Sequence, residues 1–461
     1  MKSQSVIKGL TTLDSWTDQT IKHSFIGKSL IIVIERISQL TTPLCSRFNS
    51  KLFILLLTSI CGILASLSMP QFASDRFGVG LIIIFSFLLF LFYLFSSKNL
   101  KISFNSMDFC IVIFLAFAVI SSFSSYFFKE SLVGLSKYII FFLWYLMIKI
   151  TFANCSKKIF LNLWGFFCIF AVITASIGIY QNIIGVEPLA TWEDPTQETI
   201  HTRVYSTLGN PNLLAGYLLV VLPICTILAI EHKNNLLKIF FITASILILV
   251  CLILTGSRGG YIGLLVSSIL SIIVCLNYFI FQKNINKTKN LLLAISGIIG
   301  LILFLTFLFP VITERLLTIF TLREHSSNNY RVNVWIACFQ MLKDNLFIGI
   351  GPGNSTFRLA YGLYMVTGFD ALAAYNIFLE IAVEIGLLGS FIFILIFLLS
   401  FFKLHHLFWQ KKNIFSLGIF ISLVGLLTHG MVDTVFFRPQ IFIPFWLLLA
   451  SIDKIEGEMQ S

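Results

Sequence analysis

The feature that most constrains this chain is a series of long apolar runs between residues 51 and 452. A helix needs about 20 apolar residues to cross roughly 30 Å of hydrocarbon. The pattern therefore predicts an all-α membrane protein of about 12 transmembrane helices. The predicted spans are approximately 51–69, 77–95, 109–127, 132–152, 159–184, 208–230, 236–255, 260–281, 291–309, 372–402, 414–433 and 437–452.

Charge and cysteine content exclude several other classes of protein. Only 11% of the residues are charged, against about a quarter in soluble proteins. The basic residues are scattered between apolar runs and form no cluster with interleaved aromatics, so we predict membrane lipid and no nucleic acid as a partner. The nine cysteines occur singly without a C-x-x-C pair, and we predict no metal site and no cofactor.

The distribution of lysine and arginine predicts the orientation. With the amino terminus placed inside, 21 of the 32 basic residues fall on the cytoplasmic side and 11 on the other, as the positive-inside rule expects. Nineteen of the 21 are Lys, whereas eight of the 11 are Arg. Because the planar arginine fork suits phosphate and carboxylate, the outer face is predicted to recognise an anion.

This orientation predicts a multi-pass protein of the cytoplasmic (inner) membrane with both termini in the cytoplasm. Residues 1–50 form a cytoplasmic segment, in which roughly 15 residues from Phe25 are predicted to form an interfacial helix. The membrane domain covers 51–452 and includes an extracytoplasmic loop at 310–371. Residues 453–461 form a cytoplasmic tail.

The first motif on the predicted outer face runs from Arg203 to Asn212 and contains Asn210-Pro211-Asn212. A helix that begins at this proline leaves backbone N–H groups that attract an anion. We select Arg203, Asn210 and Asn212 as ligand-binding candidates. A capped helix end without a ligand is the alternative.

The second motif is the link Gly256-Ser257-Arg258-Gly259-Gly260 between two predicted spans. A tight turn explains the glycines. It does not explain Arg258, because a charge at membrane depth is costly without a partner or a watery cavity. Arg258 is therefore a ligand-binding candidate.

The third motif lies in the predicted long loop. Val334, Trp335, Cys338, Met341 and Leu342 recur at three- and four-residue spacing, which predicts an amphipathic helix on the membrane or on the bundle. Arg331 precedes this stripe and is a ligand-binding candidate. The following Gly349–Asn354 stretch predicts a compact turn, and it lacks the strand-then-helix context of a phosphate loop.

The last polar residues lie at the predicted outer ends of two spans. Asn376, Glu380 and Glu384 form an i, i+4, i+8 row on one helix face, and we select Asn376, Glu380 and the later Arg438 as ligand-binding candidates. His429 and Asp433 are one helical turn apart, so the carboxylate is able to orient a catalytic imidazole. A hydrogen-bonded structural histidine is the alternative.

These motifs resemble the O-antigen ligase and polymerase superfamily, and more closely its cyanobacterial branch assigned to bicarbonate transport (inorganic carbon transporter B). The resemblance covers most of the chain from about 50 to 450. It rests on Ala190-Thr191-Trp192, Arg203–Asn212, Leu254–Gly260, Glu324–Trp335, Gly349–Asn354, Asn376–Gly386 and His429–Thr434.

The resemblance implies a twelve-helix bundle whose large outer loop lies between spans nine and ten. It also implies that outer arginines, matched here by Arg258 and Arg331, hold the pyrophosphate of a polyprenyl-linked glycan without a metal. A histidine of the ligases activates the acceptor hydroxyl. Tyr375 occupies that place here, and a phenol with a pKa near 10 is a poor base at neutral pH. Tyr375, His429 and Asp433 are the catalytic candidates.

Two functions follow, and the sequence does not decide between them. The first is glycan transfer from a polyprenyl-diphosphate donor outside the cytoplasmic membrane. The alternative is binding or transport of bicarbonate by the same arginines, although we find no convincing internal repeat of the kind that many transporters show. A structural subunit without a substrate is a third possibility.

Overall fold

The protein is described by a computed structural model that covers residues 14–24, 49–69, 78–97, 100–186, 203–283 and 327–458. These residues form helices joined by turns, and no strand occurs among them, which confirms the all-α class for this part of the chain. The helices are α1 (residues 14–23), α2 (Asn49–Ser66), α3 (Gly78–Ser96), α4 (Ser106–Ser124), α5 (Phe128–Asn154), α6 (Lys157–Ile184), α7 (Pro211–Glu231), α8 (Asn235–Leu254), α9 (Arg258–Lys283), α10 (Ser327–Asp344), α11 (Asn354–Tyr361), α12 (Ile377–Trp409), α13 (Ile414–Gly430) and α14 (Pro439–Glu458).

Seven of these helices are long and apolar enough to cross a membrane, namely α3, α4, α5, α6, α7, α8 and α12. Three shorter apolar helices span Ser50–Ser66, Arg258–Val274 and Ile414–Gly430. The protein is thus a multi-pass membrane protein, while the predicted count of about 12 spans is not confirmed. The predicted span 291–309, the interfacial helix from Phe25 and the loop residues 310–326 lie outside the described residues.

Asparagine and serine side chains cap the first turns of six helices. In α4, α7, α8, α12 and α13 the preceding Asn accepts one or two backbone N–H bonds from the first turn, and Ser156 does the same for α6. Such caps satisfy donors that have no partner inside the helix. In these six helices a polar residue therefore defines the helix start.

The helix termini form two ends of the bundle. At the end that carries the arginines, called the arginine end, the start of α7 contacts the turn after α13 through Asn212 and Asp433. At the opposite end, α1 contacts the start of α4 through Asp14 and Ser106, and Lys403 of α12 pairs with Asp14.

The centre and the rim of the bundle differ in burial. From Gln440 to Ile452 every residue of α14 is buried, as expected for a helix that is apolar on all sides. By contrast, Leu81 and Phe85 of α3 are each 61% exposed. Large apolar side chains that point outward along a whole helix fit contact with lipid tails.

Helix α12 is broken near the arginine end, because Gly386 has a non-helical backbone with φ 81° and ψ 173°. The glycine segment, residues 349–354, docks into this break. Ile350 N donates to the Val383 carbonyl at 2.9 Å, and Gly351 N donates to the Glu384 carbonyl at 3.0 Å. Irregular backbone at membrane depth is stable only where such groups are satisfied inside the protein.

The glycines of this segment are required by space as well as by backbone conformation. Gly349 has φ +77°, and a Cβ there would lie 2.4 Å from the Glu384 carbonyl oxygen. Gly353 has φ +111°, and its Cβ would lie 2.8 Å from Gly134 Cα of α5. The compact turn predicted for this stretch therefore packs between α12 and α5.

Helix α10 has the buried stripe expected from its apolar spacing. Val334, Cys338 and Met341 are fully buried, whereas Ile336 and Phe339 are 48% and 61% exposed. A helix is therefore present at the predicted position, and one of its faces is buried against the bundle. The opposite face is not purely polar, which brings apolar side chains to the surface at the arginine end.

Candidate functional site

Arg203 is anchored at two points of its fork. Its Nε donates to the Thr255 carbonyl at 3.0 Å, and its Nη2 donates to Asn212 Oδ1 at 2.6 Å. The side chain crosses the turn between α8 and α9, where a Cβ on Gly256 would lie 3.3 Å from Arg203 Cγ. Glycine at this position, with φ +58°, has no Cβ and therefore leaves room for the Arg203 side chain.

Asp433 joins the turn after α13 to the start of α7. One carboxylate oxygen accepts a bond from Asn212 Nδ2 at 2.7 Å, and the other accepts from Thr434 N at 2.7 Å. Arg331 Nη2 lies 3.9 Å from Asp433 Oδ2, and the two side chains are only 18% and 7% exposed. Arg331 therefore approaches this buried carboxylate directly, and Arg203, which is distant in sequence, reaches it through Asn212.

Arg258 reaches the same region from the start of α9. Its Nη1 donates to Asn328 Oδ1 at 3.4 Å, and Asn328 lies one turn before Arg331 on α10. We call Arg203, Arg258, Arg331, Asn212 and Asp433 the arginine cluster. Three guanidinium groups thus converge in the described part of the chain, and their planar forks suit the recognition of an anionic ligand.

A pocket with two acidic residues lies beside the arginine cluster. Glu384 accepts bonds from Tyr138 Oη at 3.2 Å and from Gly353 N at 3.0 Å. Glu380, one turn earlier on α12, lines the same small cavity of about 30 Å³, which has room for about one water molecule. We call Glu380, Glu384 and Tyr138 the carboxylate pocket, and Lys137 lies at its edge.

Thr434 connects the two groups. Its hydroxyl donates to Glu380 Oε2 at 2.8 Å, and its backbone N–H donates to Asp433 Oδ1 at 2.7 Å. A continuous series of hydrogen bonds therefore runs from Glu380 through Thr434, Asp433 and Asn212 to Arg203. Because buried polar networks hold their members in fixed geometry, the arginine cluster is rigidly supported on its α12 side.

His429 is fully buried at the end of α13, between two glycines. A Cβ on Gly259 would lie 3.1 Å from its Cδ2, and a Cβ on Gly216 would lie 3.6 Å from its Cε1. Within the described residues, neither ring nitrogen has a hydrogen-bond partner. A buried imidazole without partners costs stability, so its presence calls for a functional explanation.

The structure does not show the predicted orientation of His429 by Asp433. Helix α13 ends at Gly430, so the one-turn spacing of a helix does not continue to residue 433. Asp433 instead bonds to Asn212 and Thr434.

Tyr375 has a left-handed backbone with φ +52°, an uncommon conformation for a bulky residue and one that is frequent at functional sites. Its ring lies edge-on to Tyr330 with 5.7 Å between the centroids. Burial raises the pKa of the Tyr375 phenol, and Tyr330 and Asp433 raise this pKa further, while Arg331 opposes them. Tyr375 therefore stays protonated at neutral pH and is able to donate a hydrogen bond rather than accept a proton.

Three other predicted ligand-binding residues have local roles in the structure. Asn210 caps α7 by accepting from Asn212 N at 2.8 Å and Leu213 N at 3.2 Å, so it occupies N–H groups that an anion would need. Asn376 caps α12 and donates to the Met431 carbonyl at 3.0 Å. Arg438 is exposed within electrostatic reach of Glu380.

Sequence reasoning missed several residues of the site. Thr255, Asn328 and Thr434 lie inside or beside stretches that carry the family resemblance, but the residues themselves gave no separate signal. Tyr138 stands in an ordinary apolar span. Its contact with Glu384 bridges 246 residues, and no local pattern predicts such a contact.

The fold and the site together define a class: a multi-pass helical membrane protein with an arginine-lined polar site at one end of its bundle. Residues 243–394 match the family model of O-antigen ligase. This region runs from α8 into α12 and contains Arg258, Arg331 and the carboxylates Glu380 and Glu384. Arg203, His429 and Asp433 lie outside it.

Among curated proteins, the chain is similar to the ComP-specific O-oligosaccharyltransferase of Acinetobacter baylyi. The two are 24% identical over 360 residues, which cover 78% of this chain and 63% of the relative. The chain thus spans slightly less than two thirds of the length of that relative. Both findings support the O-antigen ligase superfamily, and neither supports a link to bicarbonate transport.

Proposed function

We propose that the protein is a glycosyltransferase of the O-antigen ligase type that uses a polyprenyl-diphosphate-linked glycan as donor. The observation that carries the proposal is the convergence of Arg203, Arg258 and Arg331 in one partly buried cluster. The similarity to an O-oligosaccharyltransferase supports an acceptor that offers a hydroxyl group. The proposed site faces the outside of the membrane, in keeping with the predicted orientation.

In this proposal the arginine cluster binds the diphosphate. The acceptor oxygen attacks the anomeric carbon of the glycan, the bond from that carbon to the diphosphate oxygen breaks, and polyprenyl diphosphate leaves. Negative charge grows on the leaving oxygen, and guanidinium groups that are already fixed in place stabilise it without rearrangement. The double anchor of Arg203 provides such fixation.

The acceptor hydroxyl must lose a proton during the transfer. Tyr375 remains protonated and is unsuited to accept it, so we assign the proton-accepting role to His429. A neutral imidazole is a base near neutral pH, and the ring nitrogens of His429 have no partner among the described residues. Because the ring is fully buried, this role requires a local opening of the bundle beside Gly216 or Gly259.

The test is transfer by the purified full chain in proteoliposomes, with lipid-linked glycans extracted from the membranes of the producing organism. Arg258→Ala and Arg331→Ala are expected to abolish transfer, whereas Lys411→Ala, an exposed residue at the opposite end, is expected to leave it unchanged. Equal loss in all three variants would contradict the assignment of the site.

A deletion strain provides a second test. If its lipid-linked and surface glycans match those of the parent strain, the transferase proposal is wrong. Bicarbonate uptake is measured in the same vesicles, and uptake above that of empty vesicles, lost in Arg258→Ala, would favour the transport alternative.

A further inference from the structure

A second polar cavity lies at the opposite end of the bundle from the arginine cluster. Its volume is about 970 Å³, within the range of pockets that bind small ligands. It is bounded by the segment before α4, the end of α5, the start of α6 and the end of α14. Because helix ends meet there, the cavity lies at the level of the lipid headgroups.

Lysine dominates the charged lining of this cavity. Four lysines and two carboxylates line it. Lys149 and Lys454 are only 5% and 6% exposed, whereas Lys101 and Lys157 lie at the exposed mouth. Basic pockets between membrane helices at this level are sites for phosphate headgroups of anionic lipids.

The two buried lysines are held in fixed positions. Lys149 pairs with Asp108 and lies 2.8 Å from Asp453 Oδ2. Lys454 donates to the Cys155 carbonyl and lies 3.1 Å from Glu458 Oε1. Their charges are therefore largely compensated within the protein, and they form the floor of the cavity.

The two lysines at the mouth are available to a ligand. Lys157 pairs with Glu231 at 3.3 Å, but its side chain is 56% exposed, and such a pair is weak and readily exchanged. Lys101 has no ion-pair partner among the described residues. Lys157 also begins α6, so the positive end of that helix dipole adds to the attraction for an anion.

The apolar part of the lining decides between a lipid and a soluble anion. Leu100, Ile102, Ile150 and Ala153 share the cavity wall with the lysines. A free phosphate ion gains nothing from these side chains, whereas the glycerol and upper acyl carbons of a phospholipid cover them. The predicted orientation places this end on the cytoplasmic side, where anionic lipids are concentrated.

We propose that this cavity binds the headgroup of an anionic phospholipid, with Lys101 and Lys157 contacting the phosphate. The proposal is independent of the proposed glycan transfer, because the cavity and the arginine cluster share no residue.

Native mass spectrometry of the delipidated full chain in detergent tests the proposal. The protein is titrated with phosphatidylglycerol, phosphatidylcholine or inorganic phosphate. The double variant Lys101→Gln/Lys157→Gln is compared with Lys238→Gln/Lys411→Gln, which removes two exposed lysines from the same end. Each lysine near a membrane surface increases the affinity for anionic lipid about fivefold. The first double variant is therefore expected to bind phosphatidylglycerol roughly thirtyfold more weakly.

Saturable binding of phosphatidylglycerol that is lost in the first double variant and kept in the second supports the proposal. Equal binding by both double variants, or equal loss, overturns it, because attraction would then come from surface charge in general. Binding of phosphatidylcholine with the same affinity also overturns it. If inorganic phosphate displaces phosphatidylglycerol at equal concentration, the ligand is a soluble phosphate and the lipid assignment is wrong.

Discussion

Replacement of Arg203 by lysine keeps the positive charge but removes the planar guanidinium, so it tests whether the shape of the side chain matters for transfer. Arg203 holds the Thr255 carbonyl with Nε at 3.0 Å and Asn212 with Nη2 at 2.6 Å. A single ammonium group does not reproduce this fork. Loss of one hydrogen bond to a charged group costs about 1.5–3 kcal/mol, which corresponds to a fall in transfer of roughly 10- to 150-fold.

The assay uses the deletion strain complemented with wild type or with Arg203→Lys. Surface glycans and the lipid-linked precursor are separated and quantified, and the amount of protein in the membrane is measured in parallel. We expect the precursor to accumulate and the transferred glycan to fall, with an unchanged amount of protein.

Arg358→Lys is the matched control. Arg358 belongs to α11, near the same end of the bundle, and its pair with Asp370 at 3.7 Å joins side chains that are 61% and 63% exposed. Such an exposed pair contributes little, so this variant is expected to behave as wild type. Full activity of Arg203→Lys, or an equal loss in Arg358→Lys, would refute the argument that a fixed fork at residue 203 binds the ligand.

Three further variants test other parts of the structure. Gly256→Ala is expected to reduce transfer because its Cβ would lie 3.3 Å from Arg203 Cγ. Gly185→Ala, which also has positive φ but meets no atom of the described residues within 4 Å, should retain transfer in the same assay. His429→Leu removes buried nitrogens that each cost about 1–3 kcal/mol without a partner, so thermal unfolding should show a higher melting temperature while transfer is lost; retained transfer would exclude the catalytic role. Lys149→Met removes the cation that pairs with the buried Asp108 and the partly buried Asp453, and it is expected to destabilise the fold by about 3–5 kcal/mol. The exposed Lys157→Met is expected to cost less than about 1 kcal/mol, with unfolding in denaturant as the measurement.

Much of the helical framework was predictable because its signals are local. Eleven of the predicted spans correspond to described helices, and the remaining one, 291–309, lies outside the described residues. Hydropathy averages over about 20 neighbouring residues, and a helix start depends on a cap within three residues. Even so, the sequence overestimated how far helical spacing extends past Gly430, where α13 ends.

The membership of the site was only partly predictable. Arg258 was selected because a charge at membrane depth is costly without a partner, and Arg331 because it matches an arginine motif of the family that the chain resembles. The role of Asn212 as a bridge depends on a contact with Asp433 that spans 221 residues. Likewise, Glu384 was visible only as part of a row on one helix face, while its bond to Gly353 depends on the break at Gly386.

The sequence by itself determined that this chain is a helical membrane protein and where most of its apolar helices lie, and it selected the arginines that we propose bind an anion. The tertiary structure decided that Arg331 and, through Asn212, Arg203 converge on Asp433, that the glycine segment fills a broken helix, and that a lysine-lined cavity opens at the other end. The physical reason is the range of each interaction. Hydropathy and capping act between near neighbours in the chain, whereas hydrogen bonds and ion pairs between helices exist only after packing has brought distant residues within about 3–4 Å.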